Sequence, residues 1–198
     1  MKNNIKNLQL KNFIHIERGL IPKNTCRFVI DSIKNKSWNK HLWGTGSADD
    51  KLENFSYPTK ELDSLEITPD LEEILNPLMS ISIKSYNDFI GSEQGEQVSQ
   101  VTCFSPIKFN RYQKGQTMRI HCDHIRSLFE GEVKGIPVLS IIINFNDDYK
   151  GGDLIFWDDY KVDLGEGDVV VFPSLFLFPH RIEEVTENIR YSGVAWGC

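Results

Sequence analysis

The run Arg119-Ile120-His121-Cys122-Asp123-His124 sets an imidazole and a carboxylate two residues apart near the middle of the chain. In an extended segment alternate side chains share a face, so His121 and Asp123 point the same way and Cys122 points to the other face. A His-x-Asp pair is a common accident in a chain with five histidines, so a third ligand has to come from elsewhere. His180, closing the apolar, strand-like run Leu175-Phe176-Leu177-Phe178-Pro179-His180, can supply it if the strands double back. Two neutral imidazoles and one carboxylate, with the other positions open, suit an iron(II) centre that keeps room for a co-substrate and oxygen.

Arg190 lies further along, on what reads as the final strand, and alternation puts Ser192 on its face. A guanidinium and a hydroxyl side by side can grip a carboxylate. The pattern fits a dicarboxylate that is held at one end by Arg190 and chelates the metal at the other.

Elements must exist to bring these groups together. Residues Asn12 to Glu17 read as a short strand. Pro22 opens a helix to about Lys34, with Cys26, Val29, Ile30 and Ile33 at helical spacing and Asn24 or Thr25 as its cap. Ser37 to Thr68 is irregular, rich in Gly, Asp, Ser and Pro, and is either a substrate-recognition loop or a surface excursion pinned by its aromatics. A second helix is expected from Pro69 to Phe89, buried through Leu71, Ile74, Leu75, Leu78, Ile81 and Ile83, and kinked or split at Pro77.

From Val98 short β-rich runs follow one another: 100–104, 107–112, 118–123, 138–145, 153–157, 161–164, 168–172, 175–180 and 189–196. Turn chemistry such as Lys150-Gly151-Gly152 and Gly165-Glu166-Gly167 separates them. The expected fold is α+β and mainly β, a double-stranded β-helix (jelly roll) with N-terminal helices packed on one sheet. We expect a single domain over 1–198, with 1–97 as helical support and loop and 98–198 as the catalytic core.

Bulk properties narrow the function classes. The chain has 198 residues, a formal charge of -6, 40% hydrophobic and 25% charged residues. That is globular composition, and the acidic balance argues against nucleic acid as a partner. No signal-like or membrane-spanning run is evident, so a soluble, cytoplasmic protein is expected. The four cysteines are widely spaced and read as reduced, packed thiols.

The blocks Arg111-Tyr112-Gln113-Lys114-Gly115-Gln116, His121-Cys122-Asp123, Asn146 to Leu154, Gly167 to Ser174, and His180 through Val185-Thr186-Glu187-Asn188-Ile189-Arg190-Tyr191-Ser192 occur in that order. Together they resemble the prolyl 4-hydroxylase-like branch of the 2-oxoglutarate- and iron(II)-dependent dioxygenases. The resemblance covers about Phe109 to Trp196. It implies that His121, Asp123 and His180 bind Fe(II), that Arg190 pairs with the distal carboxylate of 2-oxoglutarate, and that the Tyr112 hydroxyl contacts this co-substrate. Ascorbate is a further cofactor candidate. Asn144 departs from the pattern, since related enzymes often carry tyrosine there.

The implied activity is hydroxylation of a prolyl or other peptidyl side chain using O2, with release of succinate and carbon dioxide. A hydroxylase of a free amino acid or small metabolite is the alternative, and a non-catalytic metal-binding jelly-roll module is the rival of another class. Zinc bound by the same three ligands leaves Arg190 and Tyr112 unexplained, and Asp123 argues against a halogenase. His124 and the stretch Arg126 to Ile136 stand near the expected site, and Trp157 and Trp196 either line its cleft or fill core.

Overall fold

The computed structural model describes residues 9–41, 61–94, 101, 103–123 and 137–197. His124, the stretch Arg126 to Ile136 and most of the irregular stretch expected over Ser37 to Thr68 lie outside the described residues. A 3-10 turn over Leu10–Phe13 precedes β1 (His15–Glu17), so the strand expected from Asn12 is shorter. Next come α1 (Lys23–Ile33), β2 (Asn39–Lys40), β3 (Asp63–Glu66) and α2 (Pro69–Gln94). The remaining strands are β4 (Lys108–Tyr112), β5 (Met118–His121), β6 (Leu139–Asn144), β7 (Lys150–Gly151), β8 (Leu154–Phe156) and β9 (Tyr160–Val162). They are followed by β10 (Val169–Pro173), β11 (His180–Ile182), β12 (Val185–Glu187) and β13 (Arg190–Gly197).

Three antiparallel sheets result. The largest runs β1-β10-β6-β13-β4-β3-β2, the second β5-β11-β8-β9, and β12 pairs with β7. Along β6 and β10 the side chains divide by parity. Ile141, Ile143, Val169 and Val171 join a core under the two helices, while Ile142, Val170 and Phe172 join a second core with Phe156 and Ile182 from the smaller sheet. A strand covered on both faces needs no polar alternation, which is why Ile141 to Ile143 and Val169 to Phe172 read as unbroken apolar runs.

Both helices correct the expectation in detail. Pro22 is the N-cap of α1 and no side chain caps it, so Asn24 and Thr25 do not have that role. Proline suits this end because its missing N–H would have had no helical partner. The second helix is one piece with Pro77 inside it, not two. Proline there removes one internal hydrogen bond. Packing of a continuous apolar stripe against the large sheet outweighs that loss: Leu71, Leu75, Met79, Ile83, Tyr86 and Ile90 are all buried. Ile74 and Ile81, expected in that stripe, face solvent.

The region expected to be irregular contributes β2 and β3 to the edge of the large sheet. Their anchor is the buried Asp63, whose carboxylate accepts from Lys40 Nζ at 2.5 Å, Arg111 Nη2 at 2.9 Å and Gln113 Nε2 at 2.9 Å. At the other edge Asp168 accepts from Arg18 Nη1 at 2.6 Å and from the backbone N–H groups of Gly19 and Gly165, both at 2.8 Å.

Gly167 turns the chain into β10 at φ +84, and a Cβ there would lie 2.1 Å from the Ile21 carbonyl oxygen. Both the left-handed backbone and the close approach require glycine. Gly167→Ala should therefore lower unfolding free energy by on the order of 2–4 kcal/mol. Urea denaturation checks this, and a loss under 1 kcal/mol would remove Gly167 as a fold determinant.

Candidate active site

Strand pairing builds the site. β11 lies antiparallel to β5 with His180 directly opposite His121, so the two imidazoles are cross-strand neighbours, with ring centroids 4.3 Å apart. The structure corrects one expectation here. Residues 175–179 are not a strand ending at His180 but a turn, closed by Phe178 N–H donating to the Leu175 carbonyl, and His180 begins β11. Pro179 brings no N–H to a ladder, which disfavours strand pairing at that point. Asp123 likewise lies beyond the end of β5, yet its carboxylate turns to the same side as His121.

The ligand-capable atoms of His121, Asp123 and His180 all lie within 4.8 Å of one another. Asp123 Oδ1 is 3.3 Å from His121 Nε2 and 3.9 Å from His180 Nε2. The tautomers follow from the other ring nitrogens. His121 Nδ1 contacts the Arg119 carbonyl at 2.9 Å and His180 Nδ1 the Phe178 carbonyl at 3.1 Å. A carbonyl oxygen only accepts, so each Nδ1 carries the proton and each Nε2 offers a lone pair. Asp123 Oδ2 is buried without a hydrogen-bond partner among the described residues. This donor set, with its orphaned carboxylate oxygen, fits a divalent cation with open positions.

Electrostatics agree with that geometry. Burial alone would raise the Asp123 pKa, but the adjoining histidines outweigh it and hold the carboxyl well below the usual range. Burial lowers the His180 pKa, which favours the neutral imidazole. Burial acts the same way on His121, but hydrogen bonding and attraction to Asp123 win and raise its pKa.

One cavity joins these residues to Tyr112, Arg190 and Ser192. Arg190 is 1% exposed, and no carboxylate pairs with it among the described residues. Its Nη1 donates to Ser192 Oγ at 3.2 Å and its Nε to the Tyr149 hydroxyl at 3.2 Å, while its guanidinium carbon sits 5.1 Å from the Tyr112 ring centroid. Gly152 leaves room for it, since a Cβ there would lie 3.1 Å from Arg190 Cδ. Burial pushes the Tyr112 hydroxyl up to about 12, so it stays a neutral donor.

Asn144 does not line the cavity. Its Oδ1 accepts from the Tyr149 hydroxyl at 3.1 Å, so Asn144 braces the tyrosine that accepts from Arg190. Trp157 is a support: its indole N–H donates to the Leu177 carbonyl at 2.8 Å and its backbone N–H to the Pro179 carbonyl at 2.9 Å, tying down the turn before His180. Trp196 lines the cavity, and the Cys122 thiol donates to the Phe176 carbonyl instead of joining the triad.

Sequence reasoning missed Tyr149, although it lies inside the Asn146 to Leu154 block. It also missed His41, Lys108 and Asn110, which line the cavity as well. Counting back in twos from Tyr112 along β4 would have found the last two.

Residues 107–197 match the 2OG-Fe(II) oxygenase superfamily. A PKHD-type hydroxylase of Shewanella sp. (strain ANA-3) is 36% identical over 97 residues, covering 47% of this chain and 42% of the relative. One from Acinetobacter baumannii (strain ATCC 17978) is 32% identical over 97 residues, covering 46% and 42%. The chain thus spans less than half the length of the curated relatives it matches.

Among solved structures, the viral collagen prolyl hydroxylase of Paramecium Bursaria Chlorella virus-1, in its 2OG complex, superposes with TM-score 0.64 at 13% identity, covering 93% of this chain and 94% of that one. A Trichoplax adhaerens prolyl hydroxylase, in complex with a hypoxia inducible factor peptide fragment, gives 0.66 at 14% identity, covering 98% and 86%. A Pseudomonas putida prolyl-4-hydroxylase gives 0.59 at 17% identity, covering 93% and 91%. At such identities the likeness establishes the jelly-roll fold. No described helix is long and apolar enough to cross a membrane.

The triad geometry has a direct test. Cobalt(II), followed by its visible spectrum, should bind at one equivalent per chain, and Asp123→Ala or His121→Ala should weaken binding by about 100-fold or more. Unchanged affinity in both variants would exclude these residues as ligands.

Proposed function

We propose that this protein, whose residues 107–197 match the 2OG-Fe(II) oxygenase superfamily, is an iron(II)- and 2-oxoglutarate-dependent dioxygenase that hydroxylates a prolyl or other peptidyl side chain. The observation that carries the reading is the buried guanidinium of Arg190, without a carboxylate partner among the described residues, in the same cavity as His121, Asp123 and His180. A buried cation without a counter-charge is costly by several kcal/mol, and a bound carboxylate removes that cost. A metal-binding module without turnover has no use for it.

Each residue has a part. His121, Asp123 and His180 hold the iron, the two imidazoles kept in the ligating tautomer by their carbonyl partners. Bound iron(II) supplies the chemistry, in which O2 oxidatively decarboxylates 2-oxoglutarate to succinate and carbon dioxide and one oxygen atom enters the substrate C–H bond. Arg190 and Ser192 take the distal carboxylate, with Tyr149 fixing the third guanidinium direction. Tyr112, neutral at physiological pH, donates its hydroxyl to a co-substrate oxygen. Leu62, Met118, Ile142 and Val194 line the same cavity and keep water from the reacting atoms.

A peptide substrate is favoured because one structural relative is a prolyl hydroxylase holding a peptide fragment. Ascorbate would serve to keep the iron reduced between turnovers.

Purified protein with iron(II), 2-oxoglutarate, ascorbate and air should form succinate, even without a primary substrate at a slow uncoupled rate. Under argon, iron(II) plus 2-oxoglutarate should give a visible charge-transfer band. Arg190→Met should raise the 2-oxoglutarate concentration at half-saturation of that band by about 100-fold, with Arg190→Lys intermediate. No band and no succinate from the wild-type protein would rule the dioxygenase reading out.

A further inference from the structure

Beyond Tyr112, part of the cavity wall serves neither the metal nor the co-substrate. Lys108, Asn110 and Tyr112 alternate along β4 and all three line the cavity. On β13 the register sets Tyr112 opposite Arg190, Asn110 opposite Ser192 and Lys108 opposite Val194. The row therefore starts at the guanidinium and ends at Lys108, about 13 Å further along the strand. Trp196, the next inward residue after Val194, is diagonal to Lys108.

Lys108, Asn110 and Trp196 are donors without acceptors among the described residues. Cations on the neighbouring strands are paired: Lys40 and Arg111 with Asp63, and Arg119 with Glu61. Among the described residues Lys108 has no ion pair. Glu66, its cross-strand partner on β3, is exposed and does not reach it. The Asn110 side-chain amide has no hydrogen bond among the described residues either, although the residue is half-buried. The indole N–H of Trp196 is buried without an acceptor among them. His41, on the same wall, adds no competing anion; burial and the nearby cations push its pKa down to about 4, so it is neutral.

We propose that Lys108 and Asn110 form a subsite for a carboxylate of the primary substrate, carried beside the carbon that is hydroxylated. This rests on the dioxygenase reading above. An ammonium and an amide N–H supply charge and directed donors, the complement of a carboxylate. A wholly neutral peptide offers them carbonyl acceptors but no counter-charge, so covering the Lys108 ammonium carries a desolvation cost. The co-substrate is not the ligand here, because Arg190 and Ser192 at the far end of the row take its distal carboxylate and the metal takes its other end. The carboxylate is either an acidic side chain next to the target residue or the terminal carboxylate of a peptide or free amino acid.

Equilibrium binding separates these sources without turnover. The protein, loaded with manganese(II) and 2-oxoglutarate under argon, is titrated with four probes. These are an N-acetylated, C-amidated proline peptide with aspartate beside the proline, its asparagine twin, the asparagine twin with a free C-terminal carboxylate directly on the proline, and free proline. At least one carboxylate probe should bind about tenfold tighter than the neutral twin, and whichever does so identifies the source. Lys108→Met should erase that preference and Lys108→Arg should keep it.

Equal affinity of all probes, or a preference that survives Lys108→Met, would overturn the subsite. A loss of 2-oxoglutarate affinity in Lys108→Met as large as in Arg190→Met would overturn it too, by making Lys108 a co-substrate ligand. The two readings fail separately. Succinate formation without any Lys108-dependent preference sinks only the subsite, whereas Lys108-dependent carboxylate binding without succinate sinks only the oxygenase.

Discussion

Three lone pairs converge on one buried point. The Nε2 atoms of His121 and His180 and the carboxylate of Asp123 are all acceptors once each Nδ1–H is committed to a backbone carbonyl. Acceptors brought together away from water repel unless a cation lies between them. The opposite imbalance stands at the other end of the cavity, where a buried guanidinium lacks an anion among the described residues. The interior therefore carries two electrostatic debts of opposite sign, and a metal chelated by a dicarboxylate would settle both.

The fold keeps those debts from cancelling each other. Arg190 is on β13 of the large sheet and the histidines are on β5 and β11 of the small one, so the sheets face each other across the cavity. Arg190 is fixed from several directions by Tyr149, Ser192 and the ring of Tyr112. Asp123 is flanked by the two imidazoles.

The grouping of the candidate site residues was legible in the sequence because it rests on side-chain type and parity. His121, Asp123, His180, Arg190, Ser192 and Tyr112 all line one cavity. The alternation of β13 carried over to the structure unchanged, since that strand runs straight over eight residues. What was not legible depends on tertiary partners. Leu175, Phe176 and Leu177 read as strand, yet Phe176 is 70% exposed, and apolar composition cannot tell a paired strand from a turn held by Trp157 and Cys122. In α2 an apolar count favoured Ile74 and Ile81, but the sheet chose the neighbouring stripe through Met79 and Tyr86. The role of Asn144 was opaque because it acts on Tyr149, a contact made only after the chain turns back.

The pairing of His180 with His121 also bears on how the chain folds. The two residues are remote in sequence, and β5 meets β11 only after β6 to β10 have been laid down. Such non-local contacts form late, and topologies rich in them fold slowly. A partly folded form that lacks this pairing leaves His180 apart from His121 and Asp123, so a divalent ion held by all three would favour the finished fold. Such an ion would then raise the stability of that fold by mass action and slow its unfolding.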